Sequence, residues 1–235
     1  MATIEVRELH TPKELAEVVQ LQFEIWGSND ATPANQLVIS VKTGGHVLGA
    51  FDGGRLVSFA YGFPALLQGQ EPWIASHMLA TRPEYAGQGI GRMLKWRQRD
   101  WALARGYRRI TWTFDPLEGR NAHLNLNLLG AVAREYIVDC YGPMEDKLNQ
   151  GLPSDRLMAD WQLDSERVLA AERGERPATD GEQVRVPALY QRLRQEDPEA
   201  ALAERLRVRR ELQGLLARGL RCVAFDRDRS AIVLR

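Results

Sequence analysis

The chain has 235 residues, of which 44% are hydrophobic and 26% charged, and its formal net charge is zero. This composition is typical of a globular protein with its own hydrophobic core. The balanced charge gives no long-range field that would attract nucleic acid or an anionic membrane surface, so we expect neither as a partner.

The cysteines and histidines give no sign of a metal site. Cys140 and Cys222 are far apart and lack CxxC spacing, which favours two small buried side chains. His10, His46 and His123 show no metal-ligand spacing with any cysteine or carboxylate. We therefore expect no bound metal.

The chain also lacks the features of a membrane or secreted protein. No apolar run approaches the ~20 residues that span a bilayer. Residues 1–10 lack the basic start and apolar stretch of a signal peptide. We expect a cytoplasmic protein.

Alternating strands and helices are predicted for the N-terminal part. Residues 4–9 alternate apolar and charged side chains, as a half-buried strand does. Thr11, Pro12 and Glu14 form a capping box, with threonine as N-cap and proline at the first helical position. Gly27 is a plausible end for that helix.

The middle of the chain continues this alternation and ends at a change of character near Gly142. A helix starting at Ile90 is expected to bury its apolar residues and to keep Lys95 and Arg99 mostly on the other side. The order of these strands and helices along the chain predicts an α/β domain over residues 1–150. The remaining elements predicted here are a helix at 34–42, strands at 46–51, 56–63, 73–81, 109–114 and 132–141, and a short helix at 121–129.

Residues 151–235 are predicted to form a C-terminal extension. It contains a strand at 155–163, a charged linker-like segment at 172–181, and an amphipathic helix that begins at Asp197 and ends at Gly219. A terminal hairpin with strands at 222–225 and 231–234 follows.

The segment 77–91, HMLATRPEYAGQGIG, carries the clearest functional signal. A strand ends near Thr81, and glycines at 87, 89 and 91 lead into the helix. The first turn of a helix leaves N–H groups unpaired, and glycines let an anion approach them. This arrangement suits a diphosphate.

Other glycine-rich motifs fit the segment less well. A P-loop requires Lys-Ser/Thr after the last glycine, where this chain has Arg92 and Met93. A dinucleotide-binding fingerprint has GxGxxG spacing near the start of a βαβ unit, whereas the spacing here is GxGxG. On spacing alone, a helix start without a ligand stays open.

Residues 79–85 followed by Gly-Gln-Gly-Ile-Gly closely resemble the acetyl-CoA signature of the GNAT superfamily of N-acetyltransferases. The strand, the signature, the long helix, the next strand and the helix opened by Asn121 follow in that family's order, and the resemblance covers roughly residues 3–142. The C-terminal part is similar to the extension of a less studied branch. Some members of that branch occur beside racemases that act on N-succinylamino acids.

The resemblance implies a fold and a cofactor. The fold would be α/β, with a mixed, mostly antiparallel twisted sheet flanked by helices and a C-terminal α+β extension. The cofactor would be acetyl-CoA or another acyl-CoA, as acyl donor. Its implied binding residues are Leu79, Ala80 and Thr81 along the pantetheine arm, the amides of Gly87, Gln88, Gly89, Ile90, Gly91, Arg92 and Met93 at the diphosphate, and Asn121 on the arm.

Two positions depart from the family pattern. Ala86 stands where the family usually has arginine or glutamine, so one side-chain contact to phosphate is absent. Leu126 stands where the family often has a tyrosine that acts as acid. Since a thiol pKa is ~8.5, protonation of the leaving thiolate is helpful but not obligatory at neutral pH.

His77 is the first candidate for the catalytic base, because it lies two residues before Leu79, where many family members have a glutamate. An unperturbed histidine pKa of ~6.5 suits amine deprotonation. A hydrogen-bonded structural histidine is the alternative. Tyr136 and Tyr141 are candidate acids, with packing aromatics as the alternative.

The function implied is an N-acyltransferase that moves an acetyl or similar acyl group, including succinyl, to the amine of a small molecule such as an amino acid. Arg120 and Arg134 are candidates to bind a carboxylate on that substrate. A non-catalytic acyl-CoA-binding module and a protein N-acetyltransferase are the alternatives. The sequence is compatible with a homodimer.

Overall fold

The computed structural model describes residues 4–27, 31–142 and 152–235. Packing divides these residues into two compact units, an N-terminal unit that runs to Thr111 and a C-terminal unit that begins at Trp112. The predicted boundary between a domain at 1–150 and an extension at 151–235 lies outside the described residues, and it stays a prediction.

The N-terminal unit contains the helices and strands predicted from the sequence, with ends that differ by a few residues. A 3₁₀ turn, Pro83–Tyr85, separates the last of its antiparallel strands from the long helix. The elements are β1 (Glu5–Glu8), α1 (Pro12–Trp26), α2 (Ala34–Lys42), β2 (His46–Asp52), β3 (Arg55–Ala65), β4 (Trp73–Thr81), α3 (Ile90–Leu103) and the first half of β5 (Arg109–Phe114).

The predicted capping box of α1 is confirmed. The Thr11 hydroxyl accepts from the Glu14 N–H at 3.3 Å, and the Glu14 carboxylate accepts from the Thr11 N–H at 3.0 Å. The Thr11 N–H is the largest influence that lowers the pKa of Glu14, to about 2. The first turn of α1 therefore has its N–H donors satisfied by side chains.

The sheet of this unit has the order β1-β2-β3-β4-β5. Pairs β1–β2, β2–β3 and β3–β4 are antiparallel, and β4–β5 is parallel. Side chains on the two faces alternate along each strand, so two apolar clusters form. One packs α1 and α2 around Phe59, and the other packs the start of α3 around Leu48 and Ala60.

The C-terminal unit forms a second, mostly antiparallel arrangement with helices against it. Within it the strand order is β7-β6-β9-β10-β8. Among the described residues no helix in either unit is long and apolar enough to cross a bilayer. The elements are α4 (Gly119–Ala122), a π-helical segment (His123–Leu128), β6 (Val132–Ile137), β7 (Arg156–Gln162), α5 (Glu166–Glu172), β8 (Glu182–Arg185), α6 (Tyr190–Glu196), α7 (Pro198–Ala217), β9 (Cys222–Asp226) and β10 (Ala231–Leu234).

Several predictions for this unit need correction. The strand predicted at 132–141 ends at Ile137, because Asp139 has a φ of +48° and turns the chain. The helix predicted at 121–129 is a short α-helix followed by a π-helical segment. The linker predicted at 172–181 follows a helix, α5, that the sequence patterns did not predict.

Helix α7 is tied to its unit by two ion pairs with buried carboxylates. The Arg205 guanidinium binds the Asp115 carboxylate at 2.7 and 3.4 Å. One helical turn later, Arg209 binds both oxygens of Asp155 at 2.8 Å. The arginines of this helix therefore include side chains that hold the fold, and Arg205 is 1% exposed.

Candidate functional site

A row of unpaired main-chain N–H groups lies at the start of α3. The Ala86 N–H bonds the Pro83 carbonyl at 3.0 Å, and the Met93 N–H bonds the Gly89 carbonyl at 3.0 Å. Between them, the N–H groups from Gly87 to Arg92 have no hydrogen-bond partner among the described residues. The Met93 N–H makes the first hydrogen bond inside the helix. Of the amides predicted to contact the diphosphate, the unpaired ones therefore end at Arg92.

The glycines of this loop are required by its backbone conformation. Gly87 has a φ of +80° and Gly89 a φ of +81°, in the left-handed region that other residues rarely adopt. A Cβ atom at either position would meet no atom of the described residues within 4 Å. The loop is therefore open around Gly87 and Gly89, and it could admit an anion.

Side chains from neighbouring elements hold the loop in place. Arg82 donates to the Leu56 carbonyl at 2.9 Å and forms an ion pair with Glu24. The Tyr85 hydroxyl donates to Asp52 at 2.8 Å. The N–H groups are thus oriented before any ligand binds, which lowers the entropic cost of binding.

Strand β4 leads into this loop and has one free edge. It pairs with β3 from Trp73 to Thr81, but with β5 only at Ile74 and Ala75 among the described residues. Beyond Ala75, the main-chain groups on the β5 edge of β4 have no strand partner there. An extended ligand could add its own amides to this edge, as an extra strand would.

His77 is the extra residue of a β-bulge in this strand. The register runs from Tyr61 opposite Met78 to Gly62 opposite Ser76, so His77 has no partner on β3. Bulges re-aim side chains and are common next to active sites. A Cβ on Gly62 would lie 3.0 Å from the Ala75 carbonyl oxygen, so glycine is needed there for the close approach.

His77 is an exposed residue, but its ring lies beside two aromatic rings that partly remove it from water. Its centroid is 5.9 Å from that of Tyr61 and 6.0 Å from that of Phe63. Desolvation lowers the pKa of His77 from its usual 6.5. The imidazole is therefore neutral at pH 7, the state that a proton acceptor requires.

The other predicted site residues lie in the C-terminal unit. Asn121 is exposed near the end of α4, and its N–H bonds the Glu118 carbonyl at 2.9 Å. Leu126 is fully buried in the π-helical segment. Arg120 and Arg134, the candidate carboxylate-binding residues, are exposed.

The two candidate tyrosines have different surroundings. The Tyr136 hydroxyl donates to Asp155 at 2.7 Å, and burial together with that carboxylate raises the pKa of Tyr136. Tyr141 is 48% exposed, and its hydroxyl lies 2.6 Å from the Thr113 hydroxyl. Of the two, Tyr141 is the more exposed, and its hydroxyl is not bound to a carboxylate among the described residues.

A buried polar chain crosses the N-terminal unit and was missed by sequence reasoning. Lys95 Nζ donates to Ser76 Oγ at 3.0 Å and to Gln98 Oε1 at 2.6 Å, and Gln98 Nε2 lies 2.7 Å from His46 Nε2. Lys95 and Arg99 are 2% and 6% exposed, so the prediction that they face away from the buried side was wrong. Polar residues at 95 and 98, three apart on one helix, were the available signal.

Residues 12–124 match the model of the Acetyltransferase (GNAT) family. None of the curated proteins matches the chain. Many solved structures share its fold at low sequence identity.

Three of them illustrate the likeness. The ribosomal-protein-S18-alanine N-acetyltransferase from Escherichia coli is 15% identical, with a TM-score of 0.56 over 69% of this chain and 96% of that one. For yncA from Salmonella typhimurium, solved with its cofactor acetyl-CoA, the values are 16%, 0.58, 70% and 96%. For Arabidopsis thaliana Naa50, in complex with the bisubstrate analogue CoA-Ac-MVNAL, they are 12%, 0.54, 67% and 97%. At these identities the likeness shows the fold alone.

Proposed function

Because residues 12–124 form a domain of the acetyltransferase (GNAT) family, we propose that the protein is an acyl-CoA-dependent N-acyltransferase. It moves an acetyl or succinyl group to the amine of a small molecule such as an amino acid. The observation that carries this proposal is the row of unpaired N–H groups from Gly87 to Arg92 at the start of α3.

The loop is suited to the diphosphate of coenzyme A. Main-chain N–H groups at a helix N-terminus bind anions because they are unpaired and carry partial positive charge. Helix α3 has 14 residues, so its dipole is well developed at that end. Acetyl-CoA in the similarly folded yncA structure supports the same cofactor class here. When bound, an acyl-CoA supplies the activated thioester carbonyl.

The free edge of β4 would hold the pantetheine arm. Its amides can pair with the main chain of Leu79, Ala80 and Thr81, as an added strand pairs with a sheet edge. The N–H of Leu79 would bind the carbonyl oxygen as negative charge develops on it. Asn121 stays a proposed contact to the same arm.

His77 would accept the proton of the acceptor amine. Acyl transfer needs a neutral amine, and a neutral imidazole near pH 7 can remove the proton from an ammonium group. The bulge gives this residue a position off the regular strand register. Tyr61 and Phe63 beside the ring would limit water around the amine.

Tyr141 would return a proton to the leaving thiolate. Its exposed hydroxyl, next to that of Thr113, can exchange protons with solvent. Tyr136 is a weaker candidate, because its proton is already shared with Asp155 and its pKa is raised. A thiol pKa of ~8.5 makes this step modest in either case.

Radiolabelled acetyl-CoA and succinyl-CoA, each incubated with a panel of amino acids, test the proposal. We expect label transfer to at least one amine, with the His77→Gln variant retaining CoA affinity but losing transfer. Binding without transfer to any amine would instead indicate a non-catalytic acyl-CoA-binding module.

Protein N-terminal acetylation is a second candidate. It is supported by the fold likeness to the ribosomal-protein-S18-alanine N-acetyltransferase and to Naa50 bound to a peptide-like bisubstrate analogue. A panel of short peptides with free N-termini, assayed beside the amino acids, separates the two. Faster transfer to peptides than to any free amino acid would favour this second function.

A further inference from the structure

Lys95 places an amine in the interior of the N-terminal unit, directly beneath strand β4. The residue is 2% exposed, and its Nζ donates to Ser76 Oγ at 3.0 Å and to Gln98 Oε1 at 2.6 Å. Lysine is almost never fully buried unless its amine is paired, because an ammonium group loses its hydration there. The presence of a lysine at this position is therefore not explained by packing alone.

The partners of this lysine lie on the face of the sheet that α3 covers. Gln98 belongs to α3, and its Nε2 lies 2.7 Å from His46 Nε2, so His46 points toward the helix. A Cβ built on Gly62 would lie 2.8 Å from the His46 ring and 3.1 Å from the Ile74 side chain. Ser76 is opposite Gly62, so Ser76 and Ile74 share this face.

The other face of β4 carries different residues. Tyr61 is opposite Met78, and both pack in the apolar cluster around α1 and α2. The His77 ring lies beside the rings of Tyr61 and Phe63. His77 has no partner on β3, and this extra residue brings Ser76 onto the α3 face.

Without the bulge, β4 would present the opposite faces before Met78. Gly62 would then be opposite His77, and Phe63 would be opposite Ser76, because an antiparallel pair advances by one residue on each strand. A shift of one residue exchanges the two faces, so His77 would point toward α3 and Ser76 away from it. The hydrogen bond from Lys95 to Ser76 therefore forms only in the bulged register.

We propose that Lys95 is a positioning residue, which holds β4 in the bulged register through Ser76 and keeps the His77 ring away from α3. A bulge disrupts the ladder of main-chain hydrogen bonds, so contacts around it must favour it. A buried charge is weak evidence for stability, but it can fix the register of the element that binds it. Ile74 is 0% exposed and favours the same register, but it lies three residues before His77, whereas Ser76 directly precedes it.

The effect of Lys95 on acyl transfer rests on the proposed function, whereas its effect on the register of β4 does not. If His77 accepts the amine proton, loss of the bulge turns the imidazole away from the acceptor. Lys95 lies outside the row of N–H groups from Gly87 to Arg92. We therefore expect its replacement to lower kcat and to leave the KM for the acyl-CoA nearly unchanged.

Cross-strand nuclear Overhauser contacts between β3 and β4, measured in the full-length protein, test the proposal. The wild type should show contacts of Tyr61 with Met78 and of Gly62 with Ser76. Lys95→Met replaces the amine by an apolar side chain of similar length. In that variant, the contact between residues 62 and 76 and the contact between the His77 and Tyr61 rings should both be lost.

Two further variants separate the hydrogen bond from the bulk of the lysine. Ser76→Ala removes only the acceptor on β4 and should lose the same contacts as Lys95→Met. Thr111→Val is the matched control, because it removes another hydroxyl that bonds a β4 side chain, the Trp73 indole, at 3.0 Å. It should leave the contact between residues 62 and 76 in place.

Persistence of the contact between residues 62 and 76 in Lys95→Met or in Ser76→Ala would overturn the proposal, as would its loss in Thr111→Val. Where the contact is lost, misplacement of the His77 ring should lower kcat about 10- to 100-fold. Loss of the contact with an unchanged kcat would support the role of Lys95 in the register and refute His77 as the base, so the two assignments fail separately.

Discussion

Replacing Gly89 with alanine tests how the loop at the start of α3 is used. Gly89 precedes the helix with a φ of +81°, and within the described part of the chain no atom lies within 4 Å of a Cβ built there. An alanine in this left-handed conformation costs about 1–2 kcal/mol of stability. The variant should therefore fold, with a modest loss of unfolding free energy.

The effect on coenzyme A should be much larger than the effect on stability. The added methyl group lies within the row of N–H groups from Gly87 to Arg92. Loss of one hydrogen bond to a charged group removes about 1.5–3 kcal/mol. Since each 1.4 kcal/mol is about tenfold in affinity, the Kd for CoA should rise about 10- to 100-fold.

Gly54 offers a matched control. It lies in the β2–β3 turn with a φ of +85°, and a Cβ there also meets no atom within 4 Å in residues 4–27, 31–142 and 152–235. Gly54→Ala should lose similar stability in urea denaturation, yet bind CoA in calorimetry like the wild type. Equal CoA affinities for the Gly89 and Gly54 variants would refute the reasoning.

Three further outcomes are expected. His77→Gln should lower kcat about 10²–10⁴-fold with CoA affinity unchanged. Because desolvation lowers the pKa of His77, the acid limb of the wild-type pH–rate profile should lie below pH 6.5. An acid limb above that pH would contradict the assignment of His77 as the base. Asp155→Asn should lower the unfolding free energy at pH 7, measured by urea denaturation, by about 1.5–3 kcal/mol, because it removes the charge-assisted hydrogen bonds from Arg209. Burial tends to raise the pKa of Asp155, but its Arg209 and Tyr136 partners hold that pKa below 3.8. The stabilisation of the wild type by this carboxylate is therefore present above pH 3.8 and is lost as the pH falls further. A stability advantage of the wild type over Asp155→Asn that persisted in strong acid would be inconsistent with this reasoning. Tyr141→Phe should lower kcat more than Tyr136→Phe, and the reverse order in steady-state assays would move the acid to Tyr136.

Local signals predicted the N-terminal unit well. The capping box at Thr11 and the glycines that open α3 each act within a few residues. Such features depend on short-range hydrogen bonds and backbone conformation, which a sequence pattern records directly. The loop that carries the candidate diphosphate site was therefore predictable.

Features that depend on distant contacts were not predictable. The π-helical segment His123–Leu128 includes Asn127, whose amide bonds both main-chain groups of Phe225 in β9, far along the chain. Lys95 was expected to face away from the buried side, yet it is buried because Ser76 and Gln98 satisfy its N–H groups. Periodicity cannot show partners that other elements provide.

Amide chemical shifts measured during a CoA titration test the central claim most directly. If the main chain of the loop binds the diphosphate, the N–H signals of residues 87–92 should shift downfield and saturate with CoA, and pantetheine, which lacks the diphosphate, should leave them in place. Saturable CoA binding that leaves those signals unmoved, or no binding of CoA at all, would contradict it.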